Sequence, residues 1–363
     1  MQSKIKKPEP GKVKAQKKAR PTPTLKDVAK DSGYSAITVS RVINGVLYVK
    51  PETRDAINAS IAKLKYSPNL AARTLAVGKQ LRIGLLFNDA SNTFSSELLA
   101  FSLEHARLNH VQIEVGKCEV GSHAIKVIQE LLTHGVDGMI VPPPLCDSEQ
   151  VLRYLARAGV VTVAVGSTRS QSATLTVRID DYGAAAAMTG HLISLGHRRI
   201  GFIIGDPMQG CSAQRLSGYK HALQTAGIDV DEDLIQQGEF TFRSGLKATD
   251  LLLQKKSRPT AIFASNDNMA AAAVAMAHRY HLDVPQDLSI CGFDDTEMSR
   301  SIWPELTTIR QPIDKMSKVA LQMLIEAIQA RRESLLITVK HRVLDFSLIR
   351  RDSDGAPAFA AAP

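Results

Sequence analysis

No run of apolar residues in this chain approaches the roughly 18–20 that a membrane-spanning helix needs, so no such span is expected. Cysteine is scarce: Cys118, Cys146, Cys211 and Cys291 stand far apart, with no CxxC pair and no histidine at ligand spacing. They read as small buried residues in a reducing compartment, which argues against a disulfide frame and a metal site and for the cytoplasm. The Lys-rich N-terminus has no apolar stretch behind it, so a secretory signal is not expected either. The motifs GxGxxG, GxxxxGK[ST], GxSxG and HExxH are also missing. Without a nucleophile elbow or a cofactor loop, neither catalysis nor a cofactor is expected. Aromatic residues make up only 5% of the chain, which speaks against a pocket built by stacking on flat bases.

The sequence does have length and an uneven charge. At 363 residues it exceeds one ordinary core, so two or three domains are expected. Its net charge of +9 is concentrated. Residues 1–80 hold 17 Lys/Arg against 5 Asp/Glu, a net of +12, whereas residues 81–363 hold 28 against 31, a net of −3. The basic excess lies wholly in the first fifth, which implies a polyanionic partner touched there.

Residues 1–21 carry few large apolar groups and read as a disordered basic tail. Helix signals begin at Thr24, an N-cap with Asp27 at the third helical position, a capping-box variant. Leu25, Val28 and Ala29 supply one apolar face, and Gly33 suits a left-handed C-cap. Ser35 caps a second helix, with Val39, Val42 and Ile43 inward and Ala36, Ile37, Ser40, Arg41 and Asn44 outward. Pro51 opens a third, whose buried stripe is read as Ala56, Ile57, Ile61 and Leu64. Two short helices across a tight glycine turn, braced by a third, form the helix-turn-helix plan. Its second helix reads bases in the major groove of double-stranded DNA.

After Gly78 the pattern alternates strand and helix. Strand-like runs are Arg82–Phe87, Val111–Val115, Gly138–Val141, Val160–Val165, Arg199–Ile204, Ala261–Ala264 and Ser289–Gly292. Such alternation means parallel sheets covered by helices, and the many units predict two lobes with a cleft at the strand carboxyl ends. Polar groups gather where strands hand over to loops: Asn266-Asp267, Asp294-Asp295, Asp180-Asp181 and, after the 205–210 loop, Arg215. Carboxylate, amide and guanidinium groups can bond adjacent hydroxyls in pairs, as a sugar presents them, and Phe240 could supply an apolar ring for its face. Asp294 and Asp295 could also suggest an acid–base pair, but sequence neighbours usually point apart.

The segments Thr24-Leu25-Lys26-Asp27-Val28-Ala29, Gly33-Tyr34-Ser35, Thr38 to Asn44 and Tyr66 to Leu75 resemble the head of the lactose/galactose-repressor family of transcriptional regulators. The resemblance extends to about residue 350. It implies an α/β architecture: an all-α helix-turn-helix head joined to a two-lobed, periplasmic-binding-protein-like core with parallel sheets. It implies DNA contacts by Thr24, Ser35, Ala36, Ile37, Ser40, Arg41 and Asn44, and by Asn69, Ala72, Arg73 and Leu75 of a hinge helix ordered on the operator. Leu75 would be the wedge inserted between base steps in the minor groove. The family pattern places Arg215, Phe240, Asn266 and Asp294 in the effector cleft, with Phe94 and Asp181 as further candidates.

The expected organisation is therefore a tail (1–21), a DNA-binding head (22–66), a hinge helix and linker (67–80), an effector-binding and dimerisation domain (81–350) and a flexible tail (351–363). The expected activity is operator repression controlled by a small molecule, a sugar first and a purine-type co-repressor second. An exported sugar-binding protein would have no use for residues 24–76. Two departures stand out. Lys50 replaces the usual Ser/Thr cap of the third helix, and Pro142-Pro143-Pro144 fills a loop where the lactose pattern offers an amide, so the same sugar is not expected. No leucine heptad follows Arg351, so a homodimer on a pseudo-palindromic operator is expected rather than a tetramer.

Overall fold

The computed structural model describes residues 23–43, 50–64, 66, 80–88, 92–119, 121–168, 174–336 and 338–357. The chain divides between Gln80 and Leu81 into two compact units.

The first unit holds helices α1 (Leu25–Ser32), α2 (Ala36–Ile43) and α3 (Pro51–Leu64). Thr24 Oγ accepts from Asp27 N at 3.4 Å while the Asp27 carboxylate accepts from Thr24 N at 2.7 Å, so two otherwise orphaned amides are satisfied reciprocally. The Thr24 hydroxyl, which donates to Asp27 Oδ2 at 2.7 Å, and the Thr24 amide hold the Asp27 carboxyl below its usual range. Gly33 ends α1 at φ +74°, a conformation that a β-carbon disfavours. Ser35 Oγ then accepts from Thr38 N at 3.2 Å and starts α2. Val28, Val39, Val42 and Ile57 form the small core. The stripe expected on α3 needs one correction: Ala56 is exposed, and Ser60 occupies the buried position instead. The Ser60 hydroxyl donates to Asp31 Oδ2 at 2.7 Å, so a polar residue is tolerated where hydropathy favoured alanine.

In the second unit the chain first runs β1 (Arg82–Phe87), α4 (Thr93–Leu108), β2 (Gln112–Lys117), α5 (Ser122–Thr133), β3 (Gly138–Val141), α6 (Glu149–Arg157), β4 (Val161–Val165) and β5 (Leu175–Ile179). It continues with α7 (Asp181–Ser194), β6 (Ile200–Ile204), α8 (Gly210–Thr225), β7 (Ile235–Gln237), α9 (Phe242–Leu253), β8 (Ala261–Ala264), α10 (Asp267–Arg279) and β9 (Ser289–Asp294). Last come β10 (Thr307–Arg310), α11 (Ile313–Arg332), β11 (His341–Leu344) and β12 (Ser347–Ile349).

The strands form two six-stranded sheets, ordered β11-β5-β4-β3-β1-β2 and β12-β10-β9-β8-β6-β7. All pairings are parallel except β12 against β10. Strands β3, β4, β8 and β9 are buried along their whole length, as expected of parallel strands with helices on both faces. The lobes are not consecutive in sequence. The chain crosses between sheets three times: after β5, after β10, and between β11 and β12.

The flexible tail expected from residue 351 does not begin there. Ser353 is fully buried: its carbonyl accepts from Ile290 N at 2.8 Å and its hydroxyl oxygen from Thr307 N at 2.9 Å. Asp354 accepts from the Thr307 hydroxyl and pairs with His191 Nε2 at 2.7 Å. Residues 351–357 thus strap the start of β9 and β10, supplying acceptors for the Ile290 and Thr307 amides.

Candidate functional site

On the head, Thr24, Ser35 and Ala36 are exposed at the N-terminal ends of α1 and α2, with both hydroxyl residues engaged in capping. The side chains of Ile37, Ser40, Arg41 and Ile43, and the whole of Asn44, Asn69, Ala72, Arg73 and Leu75, lie outside the described residues.

In the larger unit, Phe94, Asp181, Arg215, Phe240, Asn266 and Asp294 all line one small cavity of about 40 Å³ between the two sheets. Strand polarity delivers them. Asn266 follows β8, Asp294 ends β9, Asp181 opens α7 directly after the first crossover, and Arg215 points out of α8. Phe94 comes from α4, on the other lobe from Phe240.

Arg215 is the centre of the constellation. Its Nε donates to Asp181 Oδ1 at 2.8 Å and its Nη1 donates to the Ser265 carbonyl oxygen. The guanidinium lies 3.6 Å from the centre of the Phe293 ring and 5.7 Å from that of Phe240, and Nη1 stands 3.9 Å from Asp294 Oδ1. Gln311 Nε2 donates to the same Asp294 oxygen at 2.6 Å. Burial pushes the Asp294 carboxyl up to about 7, against the pull of Arg215 and Gln311. Burial also raises Asp181 despite its bond to Arg215. Asp267 lies well above the usual range through burial and the neighbouring Asp294, even though Thr308 and the Thr296 amide donate to it. Arg215 therefore faces two buried carboxyl groups, Asp181 and Asp294, with Asp267 buried behind Asp294.

Asp295 behaves oppositely. Burial would raise it, but Arg351 and Arg310 at 2.5 Å each, with Arg300 at 3.4 Å, hold it below the usual range. The two adjacent aspartates point apart, Asp294 toward Gln311 and Arg215 and Asp295 toward Arg310 and Arg351.

Asn266 lines the cavity, yet its amide is spent on architecture. Its Nδ2 donates to the Phe240 carbonyl oxygen at 2.9 Å, and its Oδ1 caps α10 through Met269 N at 2.9 Å. The first bond holds Phe240 at φ +60°, and Asp294 sits at φ +113°. Such left-handed backbone costs on the order of 1–3 kcal/mol per residue and concentrates where a side chain must be aimed. Gly205 is required beneath Phe240, since a β-carbon there would stand 2.0 Å from the ring.

Sequence reasoning missed Gln311, Gln209, Asn92 and Cys211, which also line the cavity. Gln311 had a signal, its place in the loop after β10. Cys211, its thiol pushed up to about 12 by burial, contributes a neutral wall. Among the described residues, hydrogen bonds between the lobes include Gly210 N to Asp147 Oδ2 at 2.8 Å, Thr93 Oγ1 to Asn268 Oδ1 at 3.2 Å, and Glu297 N to Glu97 Oε1 at 3.2 Å. No helix among the described residues is long and apolar enough to cross a membrane.

Comparison with known proteins fits both parts. Residues 24–69 match the family model for bacterial regulatory proteins of the lacI family, and residues 189–353 match that of the periplasmic binding protein-like domain. Catabolite control protein A of Priestia megaterium is 33% identical over 325 residues, covering 88% of this chain and 97% of that protein. The transcriptional regulator CelR–cellobiose complex is similar in structure with a TM-score of 0.70 and 28% identity, covering 91% of this chain and 99% of that one. The Lac repressor dimer bound to operator and the anti-inducer ONPF has a TM-score of 0.68 and 28% identity, covering 92% and 99%.

Proposed function

The chain belongs to the lacI family of bacterial regulatory proteins, and we propose that it is a cytoplasmic homodimeric repressor induced by a sugar held between its two lobes. The observation that carries the sugar reading is the convergence of Asp181, Asp294 and Arg215 beside the Phe240 ring. Two acceptors and a donor fork suit neighbouring hydroxyls, and the ring suits the apolar face of a pyranose. A second reading rests on Phe94 and Phe240, whose placement on opposite lobes would sandwich a flat purine acting as co-repressor. The CelR–cellobiose complex favours the first.

Coupling to DNA requires unequal ligand affinity for two arrangements of the lobes, and it is reciprocal. Asp181 and Gln311 lie at two of the three crossovers, so a ligand gripped by Asp181 and Asp294 bears directly on the segments that flex when the cleft opens. The Lac repressor compared above is a dimer on its operator. The same two-fold arrangement is proposed here, since one helix-turn-helix reads only a half-site.

The test centres on Asp294. Its carboxyl titrates at about 7, so at pH 6 it is mostly protonated and at pH 8 mostly ionised. A sugar hydroxyl donates far more strongly to the ionised form than to the protonated carboxyl. Calorimetry should therefore show binding about tenfold tighter at pH 8 than at pH 6. Asp294→Asn should remove this pH dependence and cost about 1.5–3 kcal/mol of sugar affinity, with operator affinity in the absence of sugar nearly unchanged. Release of operator by Asp294→Asn at the wild-type sugar concentration would refute the cleft assignment. Tighter operator binding with ligand would make the protein co-repressed.

On the head, Arg41 is proposed to contact a base edge, a guanine by chemistry, and residues 1–20 to contact phosphates. Arg41→Ala should cost about 1–3 kcal/mol and blur one operator position. Deleting residues 1–20 should weaken binding to every sequence and flatten its salt dependence. Binding assays on an operator library across a salt series distinguish the two, and the opposite pattern would reverse the assignment.

A further inference from the structure

We propose that the cleft takes a carbohydrate of at least two linked rings, the second seated in an outer subsite beside Phe242. This rests on the sugar reading of the inner cavity. The inner space is small and its walls are heavily engaged: Arg215 bonds Asp181 and Ser265, Asp294 bonds Gln311, and Asn266 is consumed by Phe240 and Met269. It is not a closed end. Asn92, Pro143, Gln209 and Phe240 line both it and a second cavity of about 470 Å³, so the two spaces adjoin. A ligand site covers most of its ligand's surface. A single ring in the inner space would leave the larger volume without a role.

The outer wall has the composition for a second ring. Phe242, at the start of α9, is 41% exposed although it lines the cavity. Glu239 and Arg243 flank it, and neither side chain has a hydrogen bond or ion pair with another described residue. Asn88 faces them from the first lobe. An apolar ring bordered by an acceptor, a donor and an amide can hold the face and the rim hydroxyls of a pyranose. Between the two subsites stands Pro143, which has no amide hydrogen to donate. That neck suits an ether-like glycosidic oxygen better than a free hydroxyl.

The test is titration calorimetry of the full chain with a panel of mono-, di- and trisaccharides of glucose (α-1,4 and β-1,4), galactose, mannose, xylose and arabinose, with hypoxanthine alongside. In the series that binds, the disaccharide should exceed its monosaccharide at least tenfold in affinity. Phe242→Ala should narrow that ratio by about tenfold, the scale of one aromatic contact. Glu239→Gln should narrow it less. A monosaccharide as tight as its disaccharide, or an unchanged ratio in Phe242→Ala, would overturn the outer subsite and leave the sugar reading standing. Binding of hypoxanthine alone, or of nothing in the panel, would overturn the sugar reading and this proposal with it.

Discussion

Replacing Arg215 with methionine should lower the unfolding free energy of the larger unit by about 3–5 kcal/mol, the cost of stranding buried charges by removing their partner. Methionine approximates the length of the side chain and keeps contact with Phe293, so the loss reports charge rather than a cavity. Asp181 and Asp294 already have raised carboxyl groups with the guanidinium present. Without it both rise further. A carboxyl whose folded-state value is raised contributes stability that is fully present below its unfolded value and lost as pH climbs through the folded one. The deficit of Arg215→Met should therefore be small at pH 5 and large at pH 8. Adding Asp181→Asn should recover part of it, since the two sites share one network. Urea denaturation at the two pH values decides the matter. A loss under about 1 kcal/mol at pH 8 would show that the carboxylates do not depend on Arg215.

Deleting residues 351–363 should destabilise the same unit by about 5 kcal/mol. The deletion leaves the Ile290 and Thr307 amides without acceptors and removes Arg351 from the buried Asp295 carboxylate. Each stranded buried group costs about 1–3 kcal/mol. Because β9 ends in Asp294, sugar affinity should fall as well. A control lacking only residues 358–363 keeps every one of these bonds and should melt like the full chain. Equal melting temperatures for the two truncations would mean that the strap contributes nothing. Any test of assembly by C-terminal truncation should accordingly stop at residue 357.

The sequence by itself determined the local pieces. Thr24 with Asp27, Gly33 and Ser35 set the first two helices, because a cap acts over three or four residues. Seven of the twelve strands were legible as apolar runs, and the polar residues at their carboxyl ends converge on one cavity because parallel strands deliver them to the same edge. β5, β7, β10, β11 and β12 escaped, being only three to five residues each and lying at or next to a sheet edge. Tertiary structure alone decided what depends on partners distant in the chain. It made Ser60 buried and Ala56 exposed, through Asp31. It gave Asp294 one distant cation and Asp295 three close ones, so adjacent carboxyls titrate in opposite directions. It turned Asn266 into a support for Phe240, and residues 351–357 into a strap. Periodicity and capping are written into neighbours along the chain. Three crossings between lobes, and the hydrogen bonds they permit, depend on residues about thirty to two hundred positions apart that no local pattern pairs.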